Sequence, residues 1–430
     1  MENKENKSEN TNENKTPYQA ELFANRLKKK YKELRKWARK NRILSYRLYD
    51  RDIPEIPVSL DLYEFLPSDC TNPVELARFL AEQNAKLSAN DLSIEADIKA
   101  RTYAILYLYE RPYQKDDDEE EKWLDQMAKT TSQVLGIDQN HIIKKMRKHQ
   151  KGKNQYEKEK DDFSNKFSAG RELECEWTGE CGQLFKIDLN SYLDTGLFFD
   201  HRPLRNMIRE TCSNKDVLNL FCYTGSFSVY AAQGNAKTVE SVDLSNTYLA
   251  WAKENMDKNG FDDKKKYIFT RADCLAFLQE KALAQKALLS EKSATEKSAA
   301  PGRPAAPTKP AVLGRQASSV QTANEIKAKA KTYDIIILDP PTFSNSKNTA
   351  NILDINKQWP QLVKDCLNIL NPHGQLYFST NSERLKFDPS QVPPVTISGH
   401  EFKVEDLTAQ TIPNDYAGSK PHRCWKFTLD

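Results

Sequence analysis

Apolar spacing divides the chain into a polar lead, a mixed N-terminal half and a regularly alternating C-terminal half. Residues 1–17, "MENKENKSENTNENKTP", carry no apolar side chain after Met1. They bury too little surface to offset ordering entropy and are expected to be disordered. From 18 to 41, Leu22, Leu27, Tyr31, Leu34 and Ala38 fall near one face, with lysines and arginines over the rest. That spacing predicts an amphipathic helix, whose basic face is either a solvated surface or a phosphate-contacting one. Residues 42–66 alternate apolar and polar, which predicts a strand pair with Pro54 and Pro57 at a turn or edge. Residues 73–110 predict one or two helices, and "DDDEEE" (116–121) predicts a helix N-terminus, where acids are favoured. "HIIKKMRKHQKGKNQYEKEK" (141–160) is a second basic segment. Strand-like pieces follow near 173–177 and 184–189.

From residue 191 strands and helices alternate. Strands are predicted at 216–221, 237–243, 266–273, 333–339 and 374–380, with helices at "SFSVYAAQG", "SNTYLAWAKENMDKNG", "CLAFLQEKAL" and "QWPQLVKDCLNIL". "VEDLTAQ" and "CWKFTLD" predict a terminal hairpin. Such alternation predicts an α/β fold, an open parallel sheet covered by helices on both faces. Residues 284–331, rich in Ala, Lys, Ser, Pro and Gln, predict a flexible insertion. The expected organisation is a tail (1–17), an α+β domain with a basic helix (18–190) and an α/β domain (191–430).

Composition narrows the class. The 430 residues suffice for two domains, and the net charge of +3 says little because basic and acidic residues are segregated. Eight cysteines include no C-x-x-C pair, and no histidine lies at zinc spacing from Cys175 and Cys181. Reduced thiols in a cytoplasmic protein without a metal are expected. The N-terminus has no apolar leader and no run is of membrane-spanning length, so a soluble, non-secreted chain is expected.

Candidate chemistry gathers at the predicted strand ends. "LNLFCYTGSFS" (218–228) is a strand, a turn with one glycine and a helix. A dinucleotide site would want three glycines so that a pyrophosphate can approach the backbone. S-adenosyl-L-methionine (AdoMet) carries no phosphate, and Gly225 alone suffices to turn the chain beside it. Asp243 ends the second strand, where a carboxylate can accept both ribose hydroxyls, and Asp273 ends the third, where it can accept from an adenine amino group. Either acid can instead cap the following helix. Asp339-Pro340-Pro341 closes the fourth strand, and its prolines fix a rigid acceptor edge. Phe343 follows and can stack on a planar base, and Asn345 and Lys347 can reach polar edges. Cys222 is expected to be a buried neighbour of the cofactor.

"YLDTGLFFDHRPLR" (192–205), "LNLFCYTGSFSV", "VDLSNTYLAWAKENM" and "DPPTFSNSK", with the basic N-terminal segments, resemble the C-terminal, RlmK half of the bifunctional large-subunit rRNA guanine methyltransferase family RlmKL. The resemblance implies a class I methyltransferase (Rossmann-like) sheet with an antiparallel terminal hairpin, preceded by a small α+β RNA-binding domain. It implies AdoMet as cofactor, large-subunit rRNA as partner and methylation of guanine N7. By that resemblance Thr195, Phe198, Asp200 and Arg202 line the cofactor pocket, Arg202 facing the methionine carboxylate. Asn219, Phe221, Tyr223, Thr224, Gly225, Asp243, Leu244, Asp273 and Cys274 complete it. Asp339, Pro340, Pro341, Phe343 and Lys347 carry the chemistry. Neither a THUMP domain nor the N2-methylating half is present, so N2-guanine activity is not expected.

Related enzymes that methylate cytosine C5 need a cysteine after the strand following D-P-P, and here Asn381 and Ser382 stand in that place. Guanine N7 is a bare acceptor and requires neither a covalent intermediate nor an obligatory base. Tyr31, Trp37, Tyr46 and Tyr156 are candidate stacking residues among the basic segments. The alternatives are an rRNA methyltransferase acting on another atom and a noncatalytic RNA-binding assembly factor.

Overall fold

The structure, a computed structural model, describes residues 15–109, 116–147, 176–298 (backbone alone for 291–298), 330–344, 352–395 and 401–430. The chain divides into two units: 1–202 with 254–260 and 412–421, and 203–253 with 261–411 and 422–430.

In the first unit, α1 (Lys15–Lys40) begins before the expected boundary. Its first turns are tied down by tertiary contacts: Gln19 accepts from Trp123 Nε1 at 2.8 Å, and Phe23 is fully buried. The rest of the expected tail lies outside the described residues. β1 (Ser45–Asp50) and β2 (Val58–Glu64) form the expected antiparallel pair. α2 (Pro73–Ser88) and α3 (Leu92–Ala100) follow.

The structure corrects the expectation for the end of 73–110: Thr102–Tyr109 is a strand, β3, not helix. It lies between β2 and β4 (Ile142–Arg147), in the order β1-β2-β3-β4 with β4 parallel to β3. The five-residue run Ala104–Leu108 is buried throughout, which erases the alternation that marks a half-exposed strand. α4 (Asp117–Leu135) starts at its acidic run, with Asp116 accepting from Asp118 N at 3.1 Å. Phe23, Leu27, Trp123 and Met127 from α1 and α4 pack with Leu60 and Leu106 in one core. β5 (Glu176–Glu180) and β6 (Gln183–Ile187) form a hairpin. Asn259 serves the free edge of β6 like a short strand: its Oδ1 accepts from Leu184 N at 2.9 Å and its Nδ2 donates to Leu184 O at 2.8 Å.

The second unit contains α5 (Arg202–Thr211, from Pro203 onward), β7 (Asp216–Leu220), α6 (Ser226–Gln233), β8 (Thr238–Asp243), the first turns of α7 (Asn246–Lys258), β9 (Tyr267–Arg271), α8 (Cys274–Ser298) and β10 (Tyr333–Leu338). The short pair β11 (Phe343–Ser344) and β12 (Leu353–Asp354) precedes α9 (Ile355–Leu367) and β13 (Leu370–Thr380). The terminal hairpin is β14 (Phe402–Asp406) and β15 (Arg423–Leu429).

The sheet order is β14-β15-β13-β10-β7-β8-β9, parallel from β13 to β9 and antiparallel at β15 and β14. This is the class I methyltransferase sheet with its terminal hairpin. Helices cover both faces, so adjacent residues go to opposite cores: Leu218, Ile336 and Leu376 to one, Val217, Ile337 and Tyr377 to the other. α8 continues to Ser298, into the segment expected to be flexible, over a run rich in Ala, Leu, Lys and Gln that favours helix. The rest of that insertion, 299–329, lies outside the described residues.

Candidate active site

Four adjacent strands of the second unit end level with one another. Leu338 pairs with Leu220, Leu220 with Val242, and Val242 with Thr270. Asp339, Phe221, Asp243 and Arg271 therefore leave the sheet side by side. The chain proceeds outward from β7 through β8 and β9, then returns to β10 on the other side of β7. The β7/β10 boundary is thus the switch point, where open α/β sheets hold ligands.

The β7–α6 turn is held in an unusual conformation. Phe221, Tyr223 and Gly225 have φ of 54°, 50° and 74°. The left-handed region costs a residue with a Cβ about 1–2 kcal/mol, so the surroundings must impose it. Phe221 N donates to Cys274 Sγ at 3.3 Å, Tyr223 N to Asp243 Oδ2 at 3.0 Å and Gly225 N to Cys222 O at 2.8 Å. Gly225 is required twice over, because a Cβ there would also lie 2.7 Å from the Ala252 Cβ. The Tyr223 ring meets Tyr248 edge-on at 4.6 Å.

Asp243 accepts from Ser245 N at 2.9 Å through Oδ1, as well as from Tyr223 N through Oδ2. Burial pushes its carboxyl above the ordinary carboxylate value, against the pull of these backbone donors. Asp273 Oδ1 caps α8 by accepting from Leu275 N at 2.9 Å, and its other oxygen has no partner among the described residues. Asp339 Oδ1 accepts from the Ser379 hydroxyl. Thr342 donates to Asn381 Oδ1 at 2.6 Å, which ties the D-P-P turn to the end of β13. Pro340 is buried, and Phe343 is 38% exposed. Ser379 was not anticipated; its place follows from the Leu338–Phe378 pairing, which sets residue 379 beside residue 339.

The remaining expected cofactor contacts have these places in the structure. Asn219 is 1% exposed and donates to Ser228 Oγ at 2.9 Å, so it props the turn from beneath. Cys274 is buried and acts through Phe221, while Leu244 and Thr224 stay in the turns themselves. Thr195, Phe198, Asp200 and Arg202 belong to the first unit. Thr195 shares a 3.0 Å hydrogen bond with the Tyr63 hydroxyl, and Asp200 is buried, whereas Phe198 is exposed. Arg202 is the plainest correction. Its guanidinium is 3% exposed and donates to Glu180 at 2.8 Å, Asp415 at 3.0 Å and the Ser45 carbonyl at 3.0 Å. All three of its nitrogens are engaged in a buried ion cluster rather than turned toward a cofactor carboxylate. Lys347, Asn345 and Tyr156 lie outside the described residues. Tyr46 is buried in the first core and is not a stacking surface.

The described thiols nearest the strand ends offer no ready nucleophile. Cys222, Cys274 and Cys366 are buried, and burial pushes each well up from the ordinary thiol value. Cys424, on β15 opposite Ser379, is fully buried and raised for the same reason, with the Asp339 charge adding to it. What the strand ends present is a set of acceptors for hydroxyl and amino groups around a rigid turn. Among the described residues no helix is long and apolar enough to cross a membrane.

A family model described as S-adenosylmethionine-dependent methyltransferase matches residues 118–276. A relative named ribosomal RNA large subunit methyltransferase K, from Neisseria meningitidis serogroup B, is 33% identical over 94% of this chain and 86% of its own length. One named ribosomal RNA large subunit methyltransferase K/L, from Magnetococcus marinus, is 32% identical over 96% of this chain and 44% of the relative. A Shewanella sp. (strain MR-4) protein of the same K/L name is 34% identical over 95% of this chain and 44% of its own. The chain thus spans less than half the length of these K/L relatives. A solved structure of a SAM-dependent methyltransferase from Streptococcus mutans shares the fold, with a TM-score of 0.55, 18% identity, and coverage of 95% of this chain and 81% of that one.

Proposed function

This chain belongs to the ribosomal RNA large subunit methyltransferase K/L family, whose cofactor is S-adenosylmethionine, and from that premise we propose that it methylates N7 of a guanine in large-subunit rRNA. The observation that carries the reading is the level row of strand ends at the switch point, with Gly225, Asp243, Asp273 and Asp339 around it. Asp243 accepts the ribose hydroxyls and the uncapped oxygen of Asp273 accepts the adenine amino group, which leaves the methionine end along the Gly225 turn. Asp339, oriented by Ser379, faces the flipped base together with Pro340, Pro341 and Phe343.

Chemistry at N7 suits these groups. The nitrogen already carries a lone pair and needs no proton removed. In-line positioning and exclusion of water can supply roughly 7–11 kcal/mol of the barrier. Asp339 accepts from a guanine N–H or balances the positive charge that develops on the alkylated ring. The buried, raised thiols and the Asn381–Ser382 pair argue against addition of a cysteine to a cytosine ring.

The test is incubation of the purified protein with labelled AdoMet and rRNA lacking its own modifications, followed by mass spectrometry of the nucleosides. 7-Methylguanosine is expected. Label in 5-methylcytidine or N2-methylguanosine would replace this reading, and AdoMet binding without transfer would point to an assembly factor.

A further inference from the structure

The basic face of α1 is not uniform. Arg26 and Lys30 are held by Asp52 at 2.6 and 2.8 Å, and Arg47 by Asp61 at 2.7 Å. Arg35, Arg39 and Arg42, at the end of α1 and just beyond it, have no carboxylate within ion-pair distance among the described residues. These three line one concavity of the first unit, about 570 Å³ with its open mouth included, with Tyr31 beside them. Arg35 lies over the Tyr31 ring at 5.7 Å, and its Nε is buried with no hydrogen-bond partner. A buried guanidinium N–H without an acceptor costs free energy until something supplies one. The single carboxylate in the wall, Glu64, is already taken by Gln83 at 2.7 Å and Arg101 at 3.5 Å.

Three unpaired guanidinium forks around a concave wall match the oxygens of a phosphate better than any neutral ligand. We propose that this concavity of the first unit binds a backbone phosphate of the RNA substrate, with Arg35, Arg39 and Arg42 as its donors. The inference rests on the RNA reading above and adds to it where the strand is gripped. Unlike the exposed lysines of α1, which contribute only diffuse attraction, these arginines fix one phosphate in place and so set the register of the strand.

The test measures anisotropy of a labelled single-stranded oligoribonucleotide from large-subunit rRNA between 50 and 200 mM KCl. Wild type, Arg35→Gln/Arg39→Gln, Arg42→Gln and the exposed-lysine control Lys403→Gln are compared, each checked by thermal melting. Loss of one phosphate contact lowers the slope of log K against log salt by about 0.7. The fall in affinity across that salt range should therefore shrink about 2.6-fold in the double variant and not in Lys403→Gln. Arg42→Gln, at an exposed position, keeps the test valid if the double variant does not fold. Wild type that binds no RNA would overturn the RNA reading itself. Wild type that binds, with variants of equal affinity and slope, would overturn the pocket alone. Inorganic phosphate bound by wild type, lost in the variants, and without effect on RNA affinity would assign the pocket to a free phosphate and overturn the RNA source.

Discussion

Asp243→Asn removes one charge and one acceptor at the centre of the proposed cofactor site. Each carboxylate oxygen has two lone pairs, and each already accepts one backbone N–H, at 2.9 and 3.0 Å. The lone pairs left over are what the two hydroxyls of a ribose would use in the proposed site. The asparagine amide takes away one of those positions and sets an N–H2 group against a backbone donor. Hydrogen bonds to charged groups contribute about 1.5–3 kcal/mol and neutral ones about 0.5–1.5. Losing one charged bond and weakening the other by about 1 kcal/mol amounts to roughly 2.5–4 kcal/mol, a Kd for AdoMet about 60- to 700-fold higher. Titration calorimetry measures this, with a melting curve to show that the variant is folded. A Kd within threefold of wild type in a folded variant would refute the assignment.

The pH dependence has a definite sign. Burial raises the Asp243 carboxyl above the ordinary value, so it takes up a proton at a higher pH than an exposed aspartate does. In the proposed site the proton occupies an acceptor assigned to the ribose, so AdoMet affinity should fall as pH drops through that raised value. For folding of the unliganded chain the sign is opposite. The contribution of a carboxyl raised in the folded state is fully present below its unfolded pKa of about 3.9 and is lost as pH rises through the folded value. Acid should therefore weaken cofactor binding in a range where this group favours the fold, and Asp243→Asn should flatten the binding profile.

Gly225→Ala combines a left-handed φ of 74° with a contact to the Ala252 Cβ at 2.7 Å, and should destabilise by about 2–5 kcal/mol in urea unfolding. Arg202→Ala removes the cation that Glu180 and Asp415 share, whose side chains are 1% and 0% exposed, and should lower stability by about 3–5 kcal/mol. An unchanged urea midpoint would refute the stabilising role of this ion cluster. Ser379→Ala removes the hydroxyl donor to Asp339 and should lower kcat about 10- to 150-fold, with the Kd for AdoMet unchanged. Unaltered turnover would remove Ser379 as a positioning residue.

Much of the second unit was legible because its signals are local. A strand ending in Asp, a glycine turn and a helix can each be read from neighbouring residues, and the terminal hairpin follows from its own alternation. β3 was not legible: burial on both faces leaves Ala104–Leu108 without a period that separates strand from helix. Nor was the placement of Arg202. As a cation beside "TGLFFDH" it looks like a ligand group, and only the fold reveals two carboxylates, one of them 213 residues away, that claim it first. The Asn219 contact was not legible for a similar reason, since its partner Ser228 sits in the first turn of the next helix.

The first unit is not contiguous in sequence, and this bears on how the protein is made. Glu180 and Arg202 leave the ribosome long before Asp415, which accepts from Arg202 at 3.0 Å, has been synthesised. At about 5–20 residues per second, the intervening 213 residues take roughly 10–40 s to emerge. Throughout that delay the nascent N-terminal half lacks the carboxylate that completes its ion cluster, so the cluster closes only once residue 415 has emerged.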